Sequence, residues 1–194
     1  MKRGKLFYVV GASGAGKDTL MAFAQESLTN HPVGRHPVKF AQRYITRPAS
    51  VGGEDHIPVS REDFRRMQAD QQFPLWWGSH GNLYGIHQEI DQWMNEGYAV
   101  VVNGSRGYHA TAEERYPEMI TVSIEVSESI LRARLHQRGR ESEAEIEQRV
   151  ARSQQFTDFT ATHLVSIQND QPLEISGNAF VAAILRLIAS PSDK

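Results

Sequence analysis

A glycine-rich segment near the start of the chain has the residue types and spacing needed to bind phosphate. Residues 11–19 read GASGAGKDT and follow an apolar run, Leu6–Val10, that favours a β-strand. Glycines allow backbone conformations that a Cβ would forbid, so successive N–H groups can converge on an anion. A helix predicted from residue 17 adds the positive end of its dipole, and Lys17 can reach the β and γ phosphates of a nucleotide. This strand–loop–helix context predicts a phosphate-binding P-loop rather than a glycine-rich turn without a ligand.

The residue after the lysine departs from the usual form of this loop. A P-loop normally has serine or threonine there, whose hydroxyl binds Mg²⁺, whereas this chain has Asp18. A carboxylate is also a hard oxygen ligand for Mg²⁺, although its charge repels a nearby phosphate. The sequence therefore predicts nucleotide binding with an altered metal arrangement in which Asp18 is the candidate ligand. The predicted nucleotide-binding residues of this loop are Gly11, Ala12, Ser13, Gly14, Ala15, Gly16, Lys17, Asp18 and Thr19.

Composition narrows the class of protein and its surroundings. A chain of 194 residues with 40% hydrophobic residues can bury one sizeable core, which favours a single domain. The net charge of −2 gives no general attraction to nucleic acid or to an anionic membrane, so neither is expected as a partner. The absence of cysteine excludes disulfides and thiolate catalysis. No run approaches the length of a membrane span, and the first apolar run is too short for a signal peptide, so we expect a cytoplasmic protein.

Strands and helices alternate along the sequence, which favours an α/β fold with a mainly parallel sheet flanked by helices. The β-branched runs Val100–Val102 and Ile120–Val126 are typical of buried parallel strands. Between residues 73 and 85, apolar residues flank a Gly81-Asn82 pair and predict a short hairpin. We predict one domain (1–194) with a core at 1–35 and 86–190, a small lobe at about 36–85 and a lid at about 134–150. The predicted strands are 5–10, 38–45, 98–103, 119–126 and 163–168, and the predicted helices are 17–28, 60–71, 86–96, 128–138, 142–155 and 174–189, with Ser60 and Ser127 at two helix starts.

Five arginines are concentrated in the predicted lid and the helix before it. One interpretation is a solvated helix–loop–helix with i,i+4 ion pairs, which we favour for Arg132. For Arg134, Arg138 and Arg149 we favour a second one, because a kinase must neutralise the charge of the transferring phosphoryl group and arginines on a mobile lid do so while excluding water. Arg140 fits either interpretation.

The order and spacing of several motifs resemble those of guanylate kinases from about residue 5 to residue 189. The resemblance implies a P-loop NTPase fold with a core sheet, an acceptor-binding lobe and an arginine lid. It also places Asn169 near the adenine end of ATP, with Arg134 among the nucleotide-binding residues. The motifs are Gly11–Leu20, Tyr44–Pro48, Gly81–Gly85, Arg134–Gly139, the helix with Glu145 and Arg149, and Asn169-Asp170.

The departures from guanylate kinases lie in the acceptor site. Guanylate kinases read guanine with acidic side chains, whose aligned positions here are Leu75, Val102 and Gly104. An acceptor-site serine is replaced by Arg43, and a phosphate-binding tyrosine is replaced by His56. Guanine N–H donors facing a leucine would stay unpaired, at a cost of several kcal/mol in a buried site. Base recognition is therefore lost and positive charge is gained.

These departures resemble a narrower family, the ribose 1,5-bisphosphate phosphokinases of bacterial phosphonate utilisation. Such enzymes transfer the γ-phosphoryl group of ATP to ribose 1,5-bisphosphate and form 5-phosphoribosyl 1-diphosphate. That acceptor carries roughly three to four negative charges at pH 7, given a second phosphate pKa near 6. The shared motifs are Gly16-Lys17-Asp18, Arg43–Arg47, Glu54–Ile57, Val101–Arg106 and Arg138–Glu141.

The resemblance implies roles for named residues on the acceptor side. Arg43, Arg47 and Arg106, with His56, are the candidate ligands of the phosphorylated sugar. Tyr84 either lines the acceptor site or simply belongs to the hairpin. The eight histidines show no spacing typical of a metal site.

On the donor side, Lys17, Arg138 and Arg149 are the candidate catalytic residues, together with Mg²⁺. No general base is expected, because the attacking oxygen belongs to an ionised phosphate. Two alternatives stay open: a nucleoside monophosphate kinase with altered base preference, and a non-catalytic guanylate-kinase-like interaction module. The expected ligands are ATP, Mg²⁺ and a phosphorylated ribose. The sequence leaves the oligomeric state open, with a homodimer among the alternatives.

Overall fold

The structure is a computed structural model that describes residues 3–30, 38–49, 54–139, 142–154 and 160–189. The chain forms two compact units, to both of which strand β1 (Leu6–Gly11) contributes residues. The first unit contains Met1–Tyr8 and Pro32–Met119, and the second contains Val9–His31 and Ile120–Lys194. No helix in the described ranges is both long and apolar enough to cross a membrane.

The larger sheet confirms the predicted α/β class. Its strand order is β2-β7-β1-β8-β9, where β2 is Val38–Ala41, β7 is Ala99–Asn103, β8 is Ile120–Glu125 and β9 is Leu164–Gln168. Strand β2 runs parallel to β7, and β8 runs parallel to β9. Every residue of β7 and all of β8 except Glu125 are buried, as the β-branched runs predicted.

The smaller sheet lies in the first unit and contains the predicted hairpin. Its order is β4-β3-β6-β5, where β3 is Arg43–Ile45, β4 is Ile57–Pro58, β5 is Leu75–Ser79 and β6 is Asn82–Ile86. Strands β5 and β6 are antiparallel, with Trp77 opposite Tyr84. Strand β3 pairs with β6 so that Arg43 lies opposite Ile86. The hairpin therefore places β3, with its arginine, beside the aromatic residues of β5 and β6.

The predicted strand at 38–45 is wrong as a single element. It forms two strands in different sheets, β2 and β3, with Gln42 alone between them. Before Gln42 the backbone pairs with β7, and after it the backbone pairs with β6. Both pieces are extended, so the alternation of side chains could not reveal the change of partner.

The helices agree with the sequence prediction at most positions. One difference is a short helix at His109–Arg115, which the sequence analysis did not predict and which buries His109 and Ala112. A 3-10 turn at Arg106–Tyr108 leads into it. The helices are α1 (Lys17–Asn30), α2 (Arg61–Ala69), α3 (Glu89–Asn95), α4 (His109–Arg115), α5 (Glu128–Arg138), α6 (Glu143–Gln154) and α7 (Leu173–Ala189).

In the second unit, an apolar cluster joins the two helices that carry the predicted lid arginines. Leu131 and Leu135 of α5 pack with Ile146 and Val150 of α6, and all four side chains are buried. Burying a side chain of this size stabilises a fold by about 1.5–3 kcal/mol, so the cluster fixes α6 against α5. The helices that carry these arginines are thus packed against each other.

Candidate active site

The loop between β1 and α1 has the backbone shape of a phosphate-binding P-loop. Gly14 and Gly16 adopt φ values of 95° and 81°, in the left-handed region that favours glycine. The backbone N–H of Ala15 donates to the carbonyl of Ala12 over 3.0 Å, which closes the turn. The loop directly precedes the N-terminus of a 14-residue helix. The helix dipole and the N–H groups at the start of the helix therefore favour an anion at this position.

Asn169 supports this loop from the end of β9. Its Nδ2 donates to the backbone carbonyl of Ala15 over 2.7 Å, and the residue is only 4% exposed. A Cβ built on Gly16 would lie 2.5 Å from the same Nδ2. The resemblance placed Asn169 near the adenine, and the structure places its amide against the phosphate-binding loop. The adenine contact stays a prediction.

Lys17 and Asp18 form an ion pair at the start of α1. Lys17 Nζ lies 2.9 Å from Asp18 Oδ1, and the side chains are 13% and 45% exposed, respectively. Thr19 is also exposed. One accessible carboxylate fits a Mg²⁺ ion, which keeps several waters and is commonly held by one or two carboxylates and the phosphates of the nucleotide. In the described ranges no group of three or more histidine or acidic side chains is arranged to hold a metal by itself.

Two of the predicted lid arginines approach the P-loop. Arg149 Nη1 donates to the hydroxyl of Ser13 over 2.5 Å. Arg134 Nη1 lies 3.5 Å from the position of a Cβ built on Gly16; it is buried and makes no hydrogen bond within the described residues. A buried guanidinium N–H without an acceptor is costly, so this group is suited to a ligand oxygen.

The remaining arginines of this region fall into different classes. Arg132 contacts Glu128 and Glu147, which confirms the solvated ion pairs expected for it. Arg138 is the last residue of α5, followed by Gly139 at φ 62°. Arg140 lies outside the described residues.

The start of α5 depends on a carboxylate that follows Asn169. Ser127 is the N-cap, as predicted, but its side chain makes no capping hydrogen bond. Instead its backbone N–H donates to Asp170 Oδ1 over 2.8 Å. This hydrogen bond, aided by the Gln168 amide and the charge of Arg134, keeps the pKa of Asp170 below its ordinary value. Asn169 and Asp170, which follow β9, thus support the P-loop and the start of α5, respectively.

In the first unit, an arginine pair surrounds a single carboxylate. Arg43 Nε donates to Glu54 Oε2 over 2.7 Å, and Arg43 Nη2 contacts the other oxygen of the same carboxylate. Arg47 Nη2 lies 3.9 Å from Glu54 Oε1. Asn103, at the end of β7, donates from Nδ2 to Glu54 Oε2 over 3.1 Å. The predicted acceptor residues Arg43 and Arg47 are therefore brought together, around a glutamate to which the sequence analysis assigned no role.

His56 lies behind this cluster. The ring is 6% exposed, and its nitrogens contact backbone carbonyls: Nδ1 that of Glu54 at 3.1 Å and Nε2 that of Arg47 at 3.0 Å. Both contacts are donations only in the doubly protonated ring. The histidine links the two chain segments that carry Arg47 and Glu54, and its predicted contact with substrate stays a prediction.

Aromatic rings support Arg43 on the hairpin side. Its guanidinium carbon lies 4.9 Å from the centroid of Tyr84. The rings of Tyr84 and Trp77 stack at 5.6 Å with an interplanar angle of 4°, and Trp77 also stacks on Tyr108 at 5.5 Å. Trp77 is 6% exposed whereas Trp76 is 38% exposed, as expected for neighbours on one strand. Tyr84 therefore positions an arginine by a cation–π contact, which is a third possibility beside the two considered from sequence.

Tyr8 fills the space beside Gly104. A Cβ built on Gly104 would lie 2.3 Å from Tyr8 Cε1, so no longer residue fits there without moving the ring. The Tyr8 hydroxyl accepts from the N–H of Ser105 over 2.9 Å and donates to its carbonyl over 3.2 Å. Burial raises the pKa of Tyr8 above its ordinary range. Tyr8 thus fixes the segment that carries Arg106, the first residue of the 3-10 turn.

A cavity of about 600 Å³ opens beside the aromatic stack. Its lining combines tryptophan and tyrosine rings with hydroxyls and contains no charged side chain among the described residues. Such a lining suits a neutral part of a ligand better than a phosphate. The residues are Trp76, Trp77, Gly78, Ser79, Ser105, Gly107, Tyr108 and Thr111.

Sequence reasoning missed the supporting residues Glu54, Asn103, Tyr8 and Asp170. A signal existed for two of them. Asn103 and Asp170 follow apolar strands, where polar side chains collect at the carboxyl ends of a parallel sheet. Tyr8 lies within an apolar run, and no local feature distinguishes it from a core residue.

The P-loop, the parallel sheet and the arginine-bearing helices define an α/β kinase of the guanylate kinase type. The sequence pattern of the guanylate kinase family matches residues 3–178. The crystal structure of guanylate kinase from Anaplasma phagocytophilum has a TM-score of 0.71 and covers 97% of this chain and 88% of its own, with 14% sequence identity. That likeness shows the fold.

Curated relatives identify the narrower family. The ribose 1,5-bisphosphate phosphokinase PhnN of Desulfomicrobium baculatum is 47% identical over 186 residues, which cover 96% of this chain and 97% of the relative. The proteins of the same name from Thiobacillus denitrificans and Psychromonas ingrahamii are 44% and 41% identical and cover 93% and 94% of this chain and 93% and 90% of their own length, respectively. The chain belongs to the family of ribose 1,5-bisphosphate phosphokinases, a kinase family with the guanylate kinase fold.

Proposed function

We propose that this protein transfers the γ-phosphoryl group of ATP to the 1-phosphate of ribose 1,5-bisphosphate, giving 5-phosphoribosyl 1-diphosphate and ADP. The observation that carries the proposal is the pairing of Arg43 and Arg47 in a part of the chain that has lost its base-reading positions. Leu75 is fully buried, and the ring of Tyr8 occupies the space that a side chain at position 104 would need. A phosphorylated sugar provides phosphates that pair with the arginines, and it has no base that would need hydrogen bonds from positions 75 and 104.

The chemistry needs charge neutralisation rather than a base. An ionised oxygen of the 1-phosphate forms a bond to the γ phosphorus, and the bond between that phosphorus and the β–γ bridging oxygen breaks. ADP leaves with the electron pair, so no proton has to be removed from the acceptor. Lys17, Arg138 and Arg149 would stabilise the charge on the transferring group, and Arg134 would bind the nucleotide.

The P-loop residues bind and orient the nucleotide in this proposal. Backbone N–H groups of Gly14, Gly16 and Lys17 would contact its phosphates, and Asn169 keeps the loop in shape through the carbonyl of Ala15. Asp18 would hold Mg²⁺, which neutralises phosphate charge when it is bound. Asp18 would then exchange its contact with Lys17 for the metal, leaving Lys17 for the phosphates.

A set of four candidate acceptors, called the acceptor panel below, tests the proposal. ADP formation from Mg·ATP is measured with ribose 1,5-bisphosphate, ribose 5-phosphate, GMP and AMP offered separately. We expect turnover with ribose 1,5-bisphosphate alone and 5-phosphoribosyl 1-diphosphate as the product. Preferred turnover of GMP would reject the proposal in favour of a nucleoside monophosphate kinase. The Lys17→Ala variant should remain folded and lose phosphoryl transfer, which assigns the measured activity to the P-loop.

A further inference from the structure

Glu54 carries a negative charge at the centre of a site that we propose for a polyanion. Its carboxylate is 11% exposed and is held by Arg43, Asn103 and, at 3.9 Å, Arg47. By charge alone, a carboxylate in this place opposes a bis-phosphorylated substrate. Its presence therefore needs an explanation other than attraction of the ligand.

The contacts of Arg43 show what the carboxylate does. Both Nε and Nη2 point at Glu54, in the two-point geometry typical of arginine–carboxylate pairs. The carbon of the same guanidinium lies 4.9 Å from the centroid of the Tyr84 ring. With two N–H groups directed at Glu54 and its guanidinium carbon over an aromatic ring, Arg43 is held in one orientation. Glu54 takes two of the five N–H donors of Arg43, and the other three keep fixed directions.

Arg47 is held less closely by Glu54 than Arg43 is. Its side chain is 22% exposed, its contact with Glu54 is longer, and its Nε is buried without a hydrogen-bond partner among the described residues. Its backbone carbonyl is tied to the His56 ring. A buried N–H that the protein itself does not pair is suited to an oxygen of a ligand.

We propose that Glu54 is a positioning residue that orders the arginine pair, so that Arg43 presents its remaining N–H groups in fixed directions and Arg47 binds a phosphate of the acceptor. The choice of a phosphorylated sugar as that acceptor rests on the proposed function; the ordering of Arg43 by Glu54 does not. Glu54 touches no reacting atom in this arrangement. It acts through the side chains that it holds.

Glu54→Gln separates positioning from charge, because the two effects change the Michaelis constant in opposite directions. If Glu54 only repels the substrate, removing its charge lowers KM for ribose 1,5-bisphosphate. If it orders the arginines, the same change raises KM by about tenfold, the effect of losing roughly one charge-assisted hydrogen bond, with kcat changed far less. A lowered or unchanged KM in a variant that unfolds at the wild-type temperature would overturn the proposal.

Asp55→Asn is the matched control. Asp55 is the next residue, has the same charge, and bonds Gln42 Nε2 over 2.7 Å at the surface. Its removal changes net charge equally without touching the arginine pair, so KM should stay near the wild-type value. Glu54→Asp keeps the charge with a shorter reach and should fall between wild type and Glu54→Gln. A rise in KM for Asp55→Asn equal to that of Glu54→Gln would also overturn the positioning role.

A measurement without turnover separates this inference from the proposed function. The Nε–H resonances of arginine are recorded by NMR in wild type and Glu54→Gln, with Arg43→Lys and Arg47→Lys used for assignment. We expect a slowly exchanging Arg43 signal in the wild type that is lost in Glu54→Gln. Inorganic pyrophosphate, as a bis-phosphate probe, should shift the Arg47 signal in the wild type and less so in the variant. Failure of the acceptor panel with these NMR results would reject the sugar substrate alone, whereas an Arg43 signal unchanged in Glu54→Gln would reject the role of Glu54.

Discussion

Several buried polar side chains in this protein contact the backbone of segments that carry predicted site residues. Asn169 uses its amide on the carbonyl of Ala15, and His56 uses both ring nitrogens on the carbonyls of Glu54 and Arg47. These contacts are buried, so the loss of one that donates a hydrogen bond removes a partner of a backbone carbonyl. Single substitutions at such positions should therefore change substrate binding through the backbone of the neighbouring loop.

Asn169→Ala should raise KM for ATP several-fold, because the carbonyl of Ala15 loses its partner and the P-loop loses a support worth about 1–3 kcal/mol. Steady-state kinetics with ATP varied at saturating acceptor measures the effect. Asn103→Ala is a matched control. Asn103 is also a buried asparagine, lies at the end of β7 in the same sheet, and donates to Glu54. It should change KM for the acceptor rather than for ATP. The reverse pattern would contradict both assignments.

Helix α5 carries Arg134 and Arg138 and begins at a hydrogen bond to Asp170. In the folded protein the pKa of Asp170 lies below its ordinary value of 3.8, chiefly because the N–H of Ser127 donates to the ionised carboxylate. Folding therefore favours the ionised form. This contribution to stability is complete above the unfolded-state pKa and is lost as the pH falls through the folded-state pKa.

Asp170→Asn should lower the melting temperature at neutral pH, and the difference from wild type should vanish as the pH falls through the folded-state pKa of Asp170. Melting temperatures of both proteins, measured from neutral pH into acid, give this difference. Asp63→Asn is the control: the Ser60 hydroxyl similarly lowers the pKa of Asp63, which lies in the first turn of α2. Both variants should lose stability, but only Asp170→Asn should also raise KM for ATP. A difference in melting temperature that persists at low pH would show that the carboxylate charge is not the cause.

The strands and helices were largely predictable because each has its own local pattern. The apolar run before the P-loop, the β-branched runs of β7 and β8, and Ser60 before α2 all act within a few residues. The partner of a strand is not local, which is why the break at Gln42 was missed. The Arg43–Glu54 pair joins residues 11 positions apart, and the bond from Asp170 to Ser127 joins residues 43 apart. A single sequence contains the residues of such pairs but not their pairing.

The residues predicted to bind the nucleotide belong to one compact unit, and Arg43 and Arg47, predicted to bind the acceptor, belong to the other. Lys17, Arg134 and Asn169 belong to the second unit, and Arg43 and Arg47 belong to the first. Each ligand should therefore protect its own part of the chain, because binding stabilises the segments that it contacts against local opening.

Hydrogen exchange read by mass spectrometry tests this division. Mg·ATP should slow exchange in residues 9–20 and 164–170, and ribose 1,5-bisphosphate should slow exchange in residues 43–47 and 54–58. The C-terminal half of α7 carries no predicted site residue and serves as the internal reference. Protection of residues 43–47 by ATP without any effect of the bisphosphate would move the nucleotide to the first unit and contradict the assignment.

The single residue between β2 and β3 limits how this segment can change during evolution. Gln42 joins strands that belong to two different sheets, and its side chain is tied to Asp55. Successive side chains on a strand point to opposite faces, so one inserted residue would turn Arg43 away from Glu54 and Tyr84. We therefore expect the length of this segment to be constrained. Natural insertions and deletions should therefore be absent between positions 38 and 45, and an aligned set of relatives would reveal this as a gap-free block of eight columns.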